Sequence, residues 1–215
     1  MALDVKQLPL GVVQTNCYLV RRPGETEIVV VDPGADAASI PRELDEWEAK
    51  CAAILITHGD WDHLGAVADL AEETGAPVHM AEDERDGLER LADHLPAGLG
   101  VTGRSYTPDV LLAGDEKLAL AGIEFETLRV PGHTPAHLAY FADGCLFSGD
   151  VLFAGGVGRV DRPGGDWETL LTSIRMLTER FPPETVVYSG HGPPTTLGRE
   201  IASNPFLADL RAAAR

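Results

Sequence analysis

The segment THGDWDH at residues 57–63 places two histidines and two aspartates, all side chains that bind divalent metals, within seven residues. Its first histidine and three later residues share one arrangement, because each comes directly after a short apolar run. The runs AILIT, FETLRVPG, CLFSG and TVVYSG lead into His58, His133, Asp150 and His191. Side chains at strand ends can converge at one edge of a sheet while the strands hold them rigid. The repetition therefore predicts one shared metal site.

Imidazole and carboxylate together are the ligands that zinc, iron and manganese take in proteins. None of the three cysteines, Cys17, Cys51 and Cys145, lies beside these residues, which argues against a closed structural zinc site. An odd number of widely spaced cysteines with apolar neighbours instead predicts reduced core residues. We therefore expect an open site with hydrolytic or oxidative chemistry.

Short apolar runs rich in β-branched residues predict the strands that position this site. They cover residues 16–20, 28–32, 53–57, 76–80, 125–130, 137–141, 145–148 and 185–189. Helices are predicted over Ser39–Lys50, over Leu64–Thr74 with Gly75 as the stop signal, and over 166–181 with Asp166 as N-cap. Because strands and helices do not alternate regularly, the pattern favours sheets covered by helices over a simple parallel sheet.

The composition is typical of one soluble globular protein, with 44% hydrophobic and 24% charged residues in a chain of 215. No low-complexity linker divides it, so a single domain over residues 1–215 is expected. The formal charge of −17 disfavours nucleic acid and anionic membrane as partners and leaves a small-molecule substrate as the expected one. No stretch approaches the roughly 18 apolar residues of a membrane span, and the N-terminus lacks a secretion signal. A cytoplasmic location is expected, while the oligomeric state is not predicted.

Several ordered motifs resemble the metallo-β-lactamase fold, and within it the hydroxyacylglutathione hydrolase (glyoxalase II) branch. The His-x-His-x-Asp-His motif of that family corresponds to residues 58–63, and its later signatures to PGHTPAH at 131–137, LFSGDVLF at 146–153 and SGHGPPTT at 189–196. VDPG at 31–34 and GRVDRPGGDW at 158–167 also look like that branch. The resemblance covers almost the whole chain. It implies an α+β fold, a four-layer αββα sandwich without an extended C-terminal helical domain, with the metal site at one edge of the paired sheets.

The resemblance also implies a ligand set for one or two divalent ions. By position, the first metal would take His58, His133 and the residue at 60, the second would take Asp62, His63 and His191, and Asp150 would bridge them. The metals would hold a water-derived hydroxide that attacks a carbonyl carbon, and they would stabilise the oxyanion and the leaving thiolate. Asp62 is expected to orient this nucleophile or to handle its proton. Asp32 is expected to support the site.

Position 60 departs from the family motif, which has histidine where this chain has Asp60. A carboxylate oxygen lies about as far from Cβ as the nearer ring nitrogen of histidine, so we expect Asp60 to occupy the same coordination position. The alternative is a carboxylate that faces water or pairs with a cation. A third carboxylate would make the site less positive, which should raise the pKa of bound water and favour iron or manganese over zinc.

The leading functional hypothesis is thioester hydrolysis, on an acyl-glutathione or another acyl-thiol. The chain ends soon after His191, so the C-terminal region with which glyoxalase II enzymes help to bind glutathione is expected to be short or absent. The alternatives are a persulfide dioxygenase with a single iron, a lactone or β-lactam hydrolase, and a non-catalytic metal-binding member of the fold.

Three residues near the motifs have two interpretations each. Arg159 either meets an anionic substrate or forms a loop salt bridge with Asp161. His137, four residues after a predicted ligand, is expected to support the site or pack rather than bind metal. Trp61 either covers the rim of the site or packs in the core.

Overall fold

A computed structural model describes residues 2–208 and Leu210. In this part of the chain, two six-stranded sheets pack face to face and helices cover their outer faces. The α+β fold predicted from the sequence, a four-layer αββα sandwich, is therefore confirmed.

The first sheet contains the N-terminal strands in chain order. They are β1 (Asp4–Leu10), β2 (Thr15–Arg21), β3 (Glu27–Val31), β4 (Lys50–Leu55), β5 (Val78–Ala81) and β6 (Val110–Leu112). The first three strands pair antiparallel, and β3 to β6 pair parallel. Both faces of β3 are buried, which explains why it reads as the continuous apolar run EIVVV.

The second sheet has the order β14-β13-β10-β9-β8-β7. Its strands are β7 (Lys117–Leu120), β8 (Ile123–Arg129), β9 (Leu138–Ala142), β10 (Cys145–Gly149), β13 (Val186–Ser189) and β14 (Thr195–Thr196), and a hairpin of β11 (Leu152–Phe153) and β12 (Gly156–Val157) lies between β10 and β13 in the chain. The strand β10 pairs parallel with β13 and antiparallel with β9, which is itself antiparallel to β8. Three strands, β8, β10 and β13, therefore run in the same direction and end at the same edge.

The helices follow the strands on the outside. They are α1 (Ser39–Glu46), α2 (Trp61–Leu64), α3 (Val67–Thr74), α4 (Arg85–Glu89), α5 (Leu91–His94), α6 (Trp167–Arg180) and α7 (Leu197–Ser203), with 3₁₀ turns at Glu82–Glu84 and Pro205–Leu207. No helix in the described residues is long and apolar enough to cross a membrane.

Three apolar clusters hold the four layers together. The outer clusters lie under α1 and α3 on one side and under α6 on the other, and the central cluster lies between the sheets. Tyr18 on β2 meets Phe147 on β10 at a ring-centroid distance of 5.6 Å across the central layer. The buried phenols of Tyr18 and Tyr140 donate hydrogen bonds of 2.6 Å to the backbone carbonyls of Ser189 and Ile56. These bonds tie the two sheets together beside the strand ends that carry the site.

Helix α6 forms as predicted, and the carboxylate of Asp166 caps it by accepting a hydrogen bond of 2.8 Å from the backbone N–H of Thr169. The predicted helix Ser39–Lys50 is too long. It ends at Glu46 because Glu48 adopts a positive φ of 51°, and Lys50 already begins β4.

The predicted helix Leu64–Thr74 is divided into α2 and α3. The backbone N–H groups of Gly65 and Ala66 donate to the carbonyls of Gly34 and Pro33 rather than to a preceding helical turn. Gly75 ends α3 in the left-handed conformation, as expected. The break sets α2 apart as a single turn packed against the VDPG segment.

All three cysteines are buried and free, as predicted.

Candidate metal centre

The seven predicted ligand side chains converge at one edge of the paired sheets. Their donor atoms form three overlapping groups, in each of which all atoms lie within 4.8 Å of one another. The groups are His58, Asp60 and His133; His58, His63 and Asp150; and Asp62, His63 and His191. The first and third are the two sets expected for the two metals, and Asp150 lies between them. Whether each side chain binds metal stays a prediction.

The convergence follows from the fold. The candidate ligands His133, Asp150 and His191 follow the co-directional strands β8, β10 and β13, while His58 follows β4 and the short helix α2 carries Asp62 and His63. Glycine permits this close approach. A Cβ atom at Gly190 would lie 2.1 Å from Asp150 Oδ1, so only glycine leaves room for that carboxylate.

The histidine rings are oriented by hydrogen bonds on their Nδ1 side. His63 Nδ1 lies 2.9 Å from Asp32 Oδ2, and His133 Nδ1 lies 2.7 Å from the carbonyl oxygen of Arg159. The carboxylate and carbonyl oxygens accept these hydrogen bonds, so each Nδ1 carries a proton and each Nε2 is left to face the cluster. Fixing the tautomer through the far nitrogen is the usual support for a metal-binding histidine.

The Nε2 atoms face the cluster and have no other partner among the described residues. The Nε2 atoms of His58, His63 and His133 and Asp150 Oδ1 are buried without a hydrogen-bond partner among the described residues. Buried polar atoms without a partner cost about 1–3 kcal/mol each. A divalent cation would satisfy all four, so the residues fit the metal that their chemistry predicts.

Asp150 lies between the two outer groups. Its Oδ1 is 3.4 Å from His63 Nε2, and its Oδ2 is 3.7 Å from His133 Nε2 and 3.6 Å from His191 Nε2. Burial would raise the pKa of this carboxyl, but the nearby imidazoles of His63 and His191 hold it well below its usual range. Asp150 therefore has the position and charge of a bridging ligand.

Asp62 is held from outside the cluster by Thr15, whose buried hydroxyl donates a hydrogen bond of 2.7 Å to Asp62 Oδ2. The same oxygen lies 3.4 Å from His191 Nε2. Burial opposes ionisation of Asp62, but the nearby imidazoles of His191 and His63 lower its pKa to about 2. Hydrogen bonds with Asp150 and Asp62 in turn raise the pKa of His191 to about 9. The carboxylates thus make this edge attractive to cations.

Asp60 pairs with a cation, one of the two alternatives that the sequence left open, while its coordination of metal stays a prediction. Its Oδ2 lies 3.4 Å from His133 Nε2 and 3.8 Å from His58 Nε2, and the same oxygen forms an ion pair with Arg162. Burial would raise the pKa of Asp60, but the nearby imidazoles of His133 and His58 and the charge on Arg162 keep it well below its usual range. The carboxylate faces the candidate ligands and pairs with a cation at the same time.

Arg159 and His137, which each had two interpretations, have different contacts in the structure. The guanidinium of Arg159 forms two contacts of 2.6 Å with Asp161 and its side chain is 56% exposed, so the loop salt bridge is present. Its role in substrate binding stays a prediction.

His137 lies outside the three groups. Its Nε2 accepts a hydrogen bond of 3.1 Å from the backbone N–H of Asp150, and its ring stacks on His58 at 4.6 Å. Burial lowers the pKa of His137, so the ring is neutral and accepts this bond.

Three supporting residues were not predicted: Thr15, Glu84 and Arg162. The buried carboxylate of Glu84 accepts hydrogen bonds from the backbone N–H of Gly59, at 3.0 Å, and of Ala136, at 2.9 Å. It thereby joins the segment around His58 to the segment after His133. No local signal marks Thr15 or Glu84, because each acts on residues at least 25 positions away.

A cavity of about 310 Å³ opens over the cluster. Apolar side chains of Val13, Phe153 and Val157 line part of it, and Arg159 and Arg162 lie at its polar side. A smaller cavity of about 100 Å³ shares Val13 and Trp61 with it. Trp61 therefore both lines the opening and packs against the outer core cluster.

Comparison with known proteins gives one family. The model of the metallo-beta-lactamase superfamily matches residues 10–191. The probable metallo-hydrolase YqgX of Bacillus subtilis is 36% identical over 207 residues, covering 94% of this chain and 96% of the relative. The hydroxyacylglutathione hydrolase GloC of Haemophilus influenzae is 35% identical over 212 residues, covering 95% and 98%.

Two solved structures are similar over nearly the whole length. The BLEG-1 B3 metallo-beta-lactamase is 38% identical with a TM-score of 0.89, covering 95% of this chain and 100% of that one. TTHA1623 in a di-iron-bound form is 37% identical with a TM-score of 0.83, covering 94% and 100%.

Proposed function

This chain belongs to the metallo-beta-lactamase superfamily, and on that premise we propose that it is a metal-dependent hydrolase that cleaves thioesters. The observation that carries the proposal is the pair of ligand groups with Asp150 between them. A mononuclear oxidation site would need only two histidines and a carboxylate. A two-metal site needs a second set of ligands, and Asp62, His63 and His191 could supply it. The presence of this second group therefore favours hydrolysis.

Divalent ions in such a site lower the pKa of water enough to supply a nucleophile near neutral pH, and they polarise a carbonyl group. The protein's own contribution is to fix the donors. Thr15 holds one oxygen of Asp62, and the far nitrogens of His63 and His133 are held by Asp32 and the Arg159 carbonyl. Asp62, at the open side of the cluster, is proposed to orient the nucleophile or accept its proton.

The thioester substrate is supported by the similarity to GloC, which is described as a hydroxyacylglutathione hydrolase. The cavity agrees with an acyl-thiol, because its apolar side chains suit an acyl group and its arginines suit a carboxylate on the thiol. Both arginines already form ion pairs, Arg159 with Asp161 and Arg162 with Asp60, so a substrate carboxylate would share them. We therefore propose a small-molecule acyl-thiol, with acyl-glutathione as the first member of the class to assay.

A second candidate is β-lactam opening, which uses the same nucleophile on a different carbonyl. It is favoured by the similarity to a protein named as a B3 metallo-beta-lactamase. For the metal, the additional carboxylate at position 60 favours iron or manganese, and a 37% identical chain is described in a di-iron-bound form. Two tightly bound zinc ions in protein purified without added metal would contradict this preference.

The test begins with elemental analysis of protein purified without added metal. The same sample is then assayed for thiol release from a hydroxyacyl-glutathione thioester, for opening of a chromogenic cephalosporin, and for oxygen uptake with a persulfide. We expect thiol release that falls at least about 100-fold in Asp150→Asn and is retained in Asp161→Asn, a matched change at an exposed carboxylate. Filled metal sites without thiol release would refute the thioesterase proposal, and activity on the cephalosporin or the persulfide would identify its replacement.

A further inference from the structure

The three carboxylates of the candidate centre are held in different ways. Thr15 donates a neutral hydrogen bond to Asp62, and Asp150 contacts histidines. Asp60 alone receives a permanent cation: among the described residues, Arg162 provides the only lysine or arginine ion pair to any of the three. The Asp60 side chain is 20% exposed and that of Arg162 is 39% exposed, so the pair lies at the solvent-facing side of the cluster.

Arg162 reaches Asp60 from a rigid turn. The sequence RPGG at 162–165 forms a type II turn, in which the N–H of the fourth residue donates a hydrogen bond of 2.9 Å to the carbonyl of Arg162. Proline occupies the second position, and Gly164 in the third has the required positive φ of 88°. A Cβ atom at Gly164 would lie 2.7 Å from Pro135, so the turn packs closely on the segment that follows His133. The guanidinium is therefore positioned by the same part of the fold that positions a candidate ligand.

The positive charge of Arg162 offsets the negative charge that Asp60 adds to the cluster. An imidazole at position 60 would be a neutral ligand, whereas Asp60 adds one negative charge to a centre that already contains two carboxylates. Arg162 returns one positive charge, and it does so at Asp60 Oδ2, the oxygen that faces His58 and His133. The guanidinium keeps its charge at any pH that the protein tolerates, so the compensation is constant.

We propose that Arg162 is a positioning residue for the metal centre: it holds the Asp60 carboxylate against His58 and His133 and offsets its charge, so that Asp60 and Arg162 together replace a histidine ligand. This inference rests on the proposed function, since it requires that the cluster bind metal. It predicts that Arg162 matters only while residue 60 is an aspartate.

The test is a double-mutant cycle of Arg162→Gln, Asp60→His and the combined variant, with Arg104→Gln as the control at an arginine ion pair outside the candidate centre. Each protein is stripped with a chelator, its unfolding midpoint is recorded, and the affinities for zinc alone and for manganese alone are measured by equilibrium dialysis against a calibrated chelator. Arg162→Gln should weaken binding of one of the two metal equivalents about 10–100-fold, the usual effect of losing a residue that supports a ligand. Arg104→Gln should leave both affinities unchanged, because its ion pairs with Asp69 and Glu72 are exposed.

In the Asp60→His background, Arg162→Gln should not weaken metal binding, because the guanidinium there faces an imidazole and a cation. Equal losses in both backgrounds, or no loss with Asp60, would overturn the inference. If Asp60→His fails to fold, Arg162→Lys decides: a retained charge should keep the affinity within about tenfold of the wild type, and a loss as large as that of the glutamine variant would refute it. Wild-type protein that binds neither metal would contradict the proposed function as well, whereas failure confined to the cycle contradicts only the role of Arg162.

Discussion

Replacing Glu84 should lower the free energy of unfolding without altering a candidate ligand. Its two carboxylate oxygens accept from the N–H groups of Gly59 and Ala136, at 3.0 and 2.9 Å. Hydrogen bonds to a charged group contribute about 1.5–3 kcal/mol each, and Glu84→Ala removes both. Water can reach the partly buried Gly59 side, so we expect the lower end of the sum, about 3 kcal/mol. For a chain of this length, that corresponds to a decrease in Tm of roughly 6–12 °C.

The isosteric Glu84→Gln keeps one acceptor and turns a donor toward the other N–H, so about half of the loss is expected, roughly 1.5 kcal/mol. Urea unfolding is measured on metal-free protein, so that the free energy of unfolding does not include metal affinity. Glu82→Ala in the same 3₁₀ turn is the matched control, because Glu82 is exposed. If the free energy of unfolding of Glu84→Ala lay within about 0.5 kcal/mol of that of the control, the two hydrogen bonds of Glu84 would not stabilise the fold as we infer.

The remaining predictions concern a hydroxyl, a glycine and the thiols. Thr15→Val should weaken metal binding about 10–100-fold by removing the hydrogen bond to Asp62, and Thr15→Ser should retain the wild-type affinity in the same dialysis assay. Gly34→Ala should lower the free energy of unfolding by about 1–3 kcal/mol, because its Cβ would lie 1.7 Å from the Asp62 carbonyl oxygen; Gly156→Ala, with 3.6 Å of clearance, should not. Burial raises the pKa of the Cys51 thiol from 9.0 to about 12, so a colorimetric thiol reagent should react slowly with native protein between pH 7 and 9 and quickly after unfolding. A fast reaction of the native protein at pH 8 would contradict the burial of this thiol. Because the pKa is higher in the folded protein than in the unfolded chain, the thiol contributes its full stabilisation below pH 9. That contribution is lost as the pH rises toward 12.

The strands and candidate ligands were predictable because their signals are local. A strand with both faces buried, such as β3, reads as an apolar run, and a ligand that follows it reads as a histidine or aspartate after that run. Helix α6 is equally local, since Asp166 caps it and Leu170, Ile174 and Leu177 fall on one buried face. Each of these features requires only neighbouring residues to be read together.

Boundaries set by distant contacts were not predictable. The division between α2 and α3 arises because Gly65 and Ala66 hydrogen-bond to Gly34 and Pro33, some 30 residues earlier. The apolar pattern there fits one continuous helix. In the same way, β1 (Asp4–Leu10) has mixed burial, with only Leu10 fully buried, so its sequence DVKQLPL lacks a strand signal and is ordered by pairing with β2.

Position 60 shows how far motif comparison extends. Comparison with the family motif identified Asp60 as unusual and gave two alternatives, metal binding or pairing with a cation. A motif represents one residue at a time, and the residue that pairs with Asp60, Arg162, lies 102 positions later in a loop. The turn signature RPGG was readable, but the direction of its arginine depends on how that turn packs against the segment after His133. On our proposal that Asp60 and Arg162 together replace a histidine ligand, the substitution is best interpreted together with the charge that accompanies it. An aspartate without Arg162 would leave the centre one charge more negative, and the pair would restore the net charge that a histidine would give.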